Sequence, residues 1–160
     1  MHTQLHTLFQ AKAWANRQLF TLLEQQLQAL SVETQTAALR MLNHVWLVEQ
    51  IFQANLQQQP HGFDALNTPD TPTLATLQAR QQASDGWYLH YLDSVDDSQL
   101  TQAVDFRFVD GKPGRMQRSE MLLHLITHGS YHRGMVGRML AEADIRPPKD
   151  SLTIFLHQTA

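Results

Sequence analysis

The stretch MLLHLITHGSYHRGMVGRM, residues 121–139, indicates the fold most directly, because its apolar residues recur with the period of an α-helix. Residues spaced three or four apart lie on one face of a helix, where they form a stripe. The stripe here consists of Met121, Leu125, His128, His132, Met135 and Met139. Apolar side chains occupy four of its six positions, so the face is expected to be buried, and histidines occupy the other two.

The same period extends through most of the chain and predicts a bundle of long helices. We predict four of them, over 5–27, over 37–58, from an N-cap at Thr71 with Pro72 in the first turn to about residue 93, and from an N-cap at Ser119 to 143. The fold class expected is therefore all-α, an up-and-down four-helix bundle that forms one domain over residues 1–160.

The pattern changes between the third and the last long helix. Val104, Phe106 and Phe108 alternate with other residues, and the turn-forming pairs Asp110-Gly111 and Pro113-Gly114 follow. Alternation broken by such pairs predicts one short β-hairpin before the last long helix. Beyond that helix, the apolar residues 152–156 predict a short strand or a turn of helix.

Composition excludes several classes of function. A net charge of −3 and a pI near 6.3 argue against a nucleic-acid partner, which requires a basic surface. The absence of cysteine excludes a disulfide framework, a thiolate metal site and a cysteine nucleophile. No signal peptide and no apolar run of about 20 residues is visible, so we expect a cytoplasmic protein without a membrane partner.

The histidines on the helical stripes are the strongest chemical signal. His128 and His132 are four residues apart, so both side chains project from one face and can share a metal ion. His44 takes an apolar position of the second helix, between Met41 and Val48. Each histidine has an alternative role as a hydrogen-bonded core residue, but three on buried faces of one small bundle favour a common ion.

Three imidazole ligands predict a particular kind of site. Neutral nitrogen donors suit a borderline divalent ion such as Zn²⁺ or Ni²⁺. Three protein ligands leave positions open for water or substrate, as catalytic sites do. Gly129 follows His128, whereas a metalloprotease of the HExxH type needs glutamate there. Activation of a water or of a thiol remains, and with no cysteine in the chain the thiol must come from outside.

Three neighbours of the histidine pair have two interpretations each. Tyr131 is a weak candidate for a proton donor and is otherwise a packing residue. Arg133 is a weak candidate for holding an anionic substrate, and the alternative is an ion pair with Glu49 or with an acid on another helix. His124 lies off the Met121 stripe and is expected to flank the site rather than bind the ion.

Three segments resemble the DinB-like family of bacterial four-helix bundles. The most specific is LHLITHGSYHRG at 123–134, which carries the HxxxHRG run, and LNHVWL at 42–47 and AWAN at 13–16 are similar to the family's second-helix and first-helix segments. The likeness covers nearly the whole chain. Met135 stands where the family often has glutamine.

The resemblance implies a function of the following kind. His44, His128 and His132 match the family's metal ligands, and the ion is typically zinc or nickel. The wider superfamily includes transferases and isomerases that use low-molecular-weight thiols such as bacillithiol or mycothiol. We therefore expect a metal-dependent enzyme with a small-molecule substrate and an external thiol, in a homodimer; the alternative is a non-catalytic, stress-associated metal-binding module.

Overall fold

The computed structural model describes residues 1–158. Within that range six α-helices and one two-stranded hairpin follow one another: α1 (His2–Gln26), α2 (Val32–Leu56), α3 (Leu74–Ser94), α4 (Asp97–Leu100), β1 (Ala103–Arg107), β2 (Pro113–Gln117), α5 (Arg118–Glu142) and α6 (Leu152–Gln158). The predicted helical bundle, with its hairpin before the last long helix, is confirmed. None of the helices described is long and apolar enough to cross a membrane.

The helix starts differ from the predicted ones. Helix α2 begins at Val32, five residues earlier than predicted, because the Ser31 side chain accepts a hydrogen bond from a first-turn N–H group. Helix α3 begins later, since Thr73 rather than Thr71 is its N-cap. Gln117 precedes α5, and Ser119, predicted as its cap, is buried within the first turn. The segment after α5 forms helix α6 rather than a strand.

Two hydrophobic cores lie at the two ends of the bundle. The hairpin-end core contains Leu5, Phe9, Val48, Phe52, Leu56, Tyr88, Leu92, Leu100, Val104, Met121, Leu122 and Leu125. The far-end core contains Leu19, Phe20, Leu23, Leu27, Leu30, Ala38, Leu42, Leu77, Val136 and Leu140. Helices α1 and α5 thus run from the hairpin end to the far end, and α2 and α3 run in the opposite direction.

This chain direction corrects the predicted up-and-down order, because α2 and α3 are parallel. The connection between them, residues 57–73, has to return along the bundle, and we call it the crossover strap. An extended chain spans about 3.3 Å per residue, so the strap is long enough to return along a 25-residue helix. The packed pairs place the helices around the bundle in the order α1, α3, α2, α5.

A polar layer separates the two cores, and each long helix contributes one charged residue to it: Lys12, Glu49, Asp85 and Arg133. The Lys12 ammonium lies 2.8 Å from a Glu49 oxygen and 2.6 Å from an Asp85 oxygen. Burial by itself lowers the pKa of Lys12, but the two carboxylates outweigh it and raise that pKa above its ordinary value. The layer is therefore an ion-paired network inside the bundle.

Candidate metal centre

The three predicted ligands lie together where α2 and α5 pack side by side. His44 comes from α2, and His128 and His132 come from successive turns of α5. Their ring centroids are 4.9, 4.8 and 4.4 Å apart for the pairs His44–His128, His44–His132 and His128–His132. All three rings are half-buried, so they are more accessible than the core positions predicted for them.

The crossover strap fixes the orientation of the His44 ring. The Nδ1 atom of His44 lies 2.7 Å from the backbone carbonyl oxygen of Leu66, which can only accept a hydrogen bond. Nδ1 therefore carries the proton, and the Nε2 lone pair is free for a metal ion. Nε2 points towards α5, where the Nε2 atom of His128 lies 3.0 Å away.

The nitrogen positions fit a shared divalent ion. One ligand nitrogen from each histidine can be chosen so that all three lie within 4.8 Å of one another. Two nitrogens bound to the same ion at about 2.0–2.1 Å lie about 3.0–3.4 Å apart, which matches the pair from His44 and His128. The Nδ1 atoms of His128 and His132 are buried and have no hydrogen-bond partner among residues 1–158.

The electrostatics of the site favour neutral imidazoles, the form that binds metals. Burial, helped by the neighbouring histidines, lowers the pKa of His128 to about 3. Burial and then His44 lower the pKa of His132 as well. Both rings of α5 are therefore unprotonated at neutral pH and have lone pairs to offer.

A stack of rings continues from the site towards the hairpin. The His124 ring lies 5.3 Å from the His128 ring and 5.0 Å from the ring of Phe52, in stacked geometry with each. His124 is not part of the three-histidine group. It flanks the site, as its position off the stripe predicts.

The two weak catalytic candidates lie on opposite sides of α5. Tyr131 is 67% exposed, and its ring meets the edge of the His132 ring at 5.1 Å. Arg133 is buried and points into the bundle, where its Nε donates to Asp150 at 2.8 Å and its Nη1 to Asn16 at 3.2 Å. Arg133 is thus ion-paired, with Asp150 in the loop before α6 rather than with Glu49 or an acid on another helix.

The sequence matches the model of the DinB family over residues 1–159. The chain belongs to the DinB family. It has no match among curated proteins. Family membership and the three-histidine group together make this a DinB protein with a site that can hold a divalent metal ion.

The residues of this DinB protein that hold the strap in place were not predicted from the sequence. Asn43 is fully buried, and its amide donates to the side chains of Asn67 and Thr68. Asn67 in turn donates to the backbone of Arg40 at 3.0 Å. An asparagine directly before a candidate ligand histidine was the available signal, but its partners lie in a loop whose path the sequence does not specify.

Proposed function

We propose that this DinB protein is a metal-dependent enzyme in which His44, His128 and His132 hold a zinc or nickel ion. The observation that carries the proposal is the convergence of three imidazoles from two helices, with facing nitrogens 3.0 Å apart. When bound, such an ion supplies Lewis-acid chemistry that lowers the pKa of a thiol or a water. An external low-molecular-weight thiol and a small electrophile are the proposed reactants.

The chain's own residues have defined tasks in this proposal. The Leu66 carbonyl keeps the proton of His44 on Nδ1, and burial keeps His128 and His132 neutral. The exposed hydroxyl-bearing ring of Tyr131 stands beside His132, within the reach of a substrate that approaches from solvent. The Leu66 carbonyl thus orients His44, and exposed Tyr131 marks the side of the site that faces solvent.

The first test is metal content, measured by inductively coupled plasma mass spectrometry on tag-free protein. We expect about one ion per chain in the wild type and almost none in the double variant His128→Ala/His132→Ala. The matched control is His90→Ala/His157→Ala, which removes two exposed histidines away from the site. Equal metal content in all three proteins, or none after reconstitution, would overturn the proposal.

A non-catalytic metal-binding protein is the second candidate. The commitment of Arg133 to Asp150 and Asn16 favours it, because that guanidinium is not available to a substrate. Turnover of a thiol with a chromogenic aryl halide, measured with and without a chelator, separates the two candidates. Chelator-sensitive turnover supports the enzyme, and stoichiometric metal without turnover for a panel of thiols supports the binding protein.

A further inference from the structure

An apolar cavity of about 290 Å³ lies between α2, the hairpin and the crossover strap. Its walls include Val48, Ile51, Phe52, Leu66, Phe106 and Phe108. Small-molecule sites are typically concave and mostly apolar, with volumes from about 300 Å³ upwards, so this cavity has the size of a small ligand site.

The cavity lies beside the three-histidine site, because residues that line the cavity also contact the histidines. Val48 lies one helical turn beyond His44 on α2, and Leu66 both lines the cavity and accepts the hydrogen bond from His44. On the α5 side, the ring of Phe52 stacks on His124, which stacks on His128. A molecule in the cavity therefore lies against the residues that surround the candidate metal ligands.

The hairpin is built to hold the aromatic wall of the cavity. Gly114 pairs with Phe106 across the hairpin, and a Cβ atom at Gly114 would lie 2.6 Å from the Phe106 ring and 2.9 Å from the Phe108 ring. Only glycine allows the two rings to approach the strand so closely. Phe108 is nevertheless 48% exposed and Leu66 50% exposed, so the apolar wall is left open at its mouth.

We propose that this cavity binds the apolar group of a small molecule whose polar head reaches the three-histidine site. This proposal rests on the metal-dependent function proposed above. A water molecule occupies about 30 Å³ of liquid, so the cavity accommodates about ten non-hydrogen atoms. A protein partner is disfavoured, since a stable interface buries about 800 Å² on each side. The ligand class is thus a compact molecule with an alkyl or aryl body and one metal-binding head.

The test titrates ethanethiol, 1-propanethiol and 1-butanethiol into the Co²⁺-loaded protein. One readout is the near-ultraviolet absorption band that a thiolate gives with Co²⁺. The other is the methyl NMR shifts of Ile51 and Val48 in a Zn²⁺-loaded sample. Each methylene buried in the cavity should raise the affinity by about twofold to fourfold, with methyl shifts that grow with chain length.

Two variants make the result specific to the cavity. Phe108→Ala removes a half-exposed wall residue and should reduce the gain per methylene to less than twofold, while the affinity for ethanethiol changes little. Leu152→Ala removes a 42% exposed apolar side chain that lies on α6, and this variant should retain the wild-type gain in affinity per methylene. An equal reduction of the gain in affinity per methylene in both variants would contradict the assignment of this cavity as the binding site of the apolar group.

The outcomes separate this proposal from the metal-dependent function. The absorption band with equal affinities for all three thiols overturns the cavity proposal and leaves the function standing. Methyl shifts that grow with chain length, without any band, would show a ligand whose head does not reach the histidines, which overturns the proposal as stated and the thiol chemistry. Neither a band nor methyl shifts overturns both.

Discussion

At the scale of single residues, a backbone carbonyl controls the chemistry of the site. An imidazole binds a metal through one nitrogen and needs the other protonated, and the Leu66 carbonyl fixes that choice for His44. Leu66 is held in place by its neighbour Asn67, whose side chain joins Asn43 and the backbone of Arg40. The strap therefore acts on the candidate metal site through the orientation of His44.

The variant Asn67→Ala tests this coupling. It removes the hydrogen bonds to Asn43 and Arg40, so the Leu66 carbonyl is no longer held against His44. Loss of such an orienting contact typically weakens metal binding by about 10-fold to 100-fold. Competition with a chromogenic chelator measures the Zn²⁺ affinity, and Gln59→Ala, at an exposed position of the same strap, is the control. An unchanged affinity in Asn67→Ala would mean that the strap does not orient the ligand.

The three histidines and their helical faces are visible in the sequence because a polar residue on an apolar stripe is a local signal. His44, His128 and His132 were predicted as one group for this reason. The contact from Leu66 is not visible, because every residue has a carbonyl and only the path of the strap selects this one. Residue roles that depend on the backbone of a distant loop require the structure.

At the scale of elements, the four long helices meet in the polar layer. Lys12 and Asn16 follow Leu5 and Phe9 at the spacing of α1's buried face, so their positions are core positions. Asn16 donates to Asp85 at 2.9 Å and accepts from Arg133, which extends the network from the Lys12 pair towards α5. A charged residue from each helix aligns them in one register, because a shift would leave a buried charge unpaired.

The variant Lys12→Met tests the polar layer. It leaves the buried carboxylates of Glu49 and Asp85 without their cation, and breaking a buried pair in this way costs about 3–5 kcal/mol of the free energy of unfolding. Urea denaturation measures the change. Adding Asp85→Asn to Lys12→Met should recover part of the loss, since one unpaired charge is then removed.

The control for this variant is Lys112→Met on the hairpin. Lys112 makes an ion pair with Asp110 at 2.7 Å, but its side chain is 77% exposed. Exposed pairs contribute about 0–1 kcal/mol, so the stability should barely change. A loss in Lys12→Met no larger than in Lys112→Met would contradict the role given to the polar layer.

The elements themselves were predictable, and their arrangement was not. Periodicity identified all four long helices and the hairpin, because an element with one buried face carries apolar residues at a regular spacing along the sequence. The parallel direction of α2 and α3 depends on the crossover strap, whose Pro and Gly residues indicate a loop but not its path. Lys12 was not predicted to be buried, and Glu49 was named only as a possible partner of Arg133, because the buried faces were traced without charged residues.

At the scale of the whole molecule, two separate cores and a charged layer set the response of the fold to pH. The hairpin-end core contains Tyr88, which is fully buried and donates from its hydroxyl to the backbone carbonyl of Glu49 at 2.6 Å. Burial first, and the Glu49 charge second, raise the pKa of Tyr88 well above 10.0. The pKa of Lys12 is also raised. Both groups therefore keep their protons in the folded state under alkaline conditions in which the unfolded chain loses them.

Above about pH 10 the folded state binds more protons than the unfolded chain. The free energy of unfolding must therefore fall as the pH rises. Each such group contributes a slope of up to about 1.4 kcal/mol per pH unit. We expect Tyr88→Phe to be less stable at neutral pH, through its lost hydrogen bond, but to lose stability less steeply between about pH 9 and about pH 11. Urea denaturation across that range measures both slopes.

Tyr131→Phe, which removes the hydroxyl of a 67% exposed ring that is solvated whether or not the chain is folded, should keep the wild-type slope. Parallel slopes for the wild type and Tyr88→Phe would mean that the hairpin-end core admits the ionised phenol, and that the alkaline loss of stability arises in the polar layer instead.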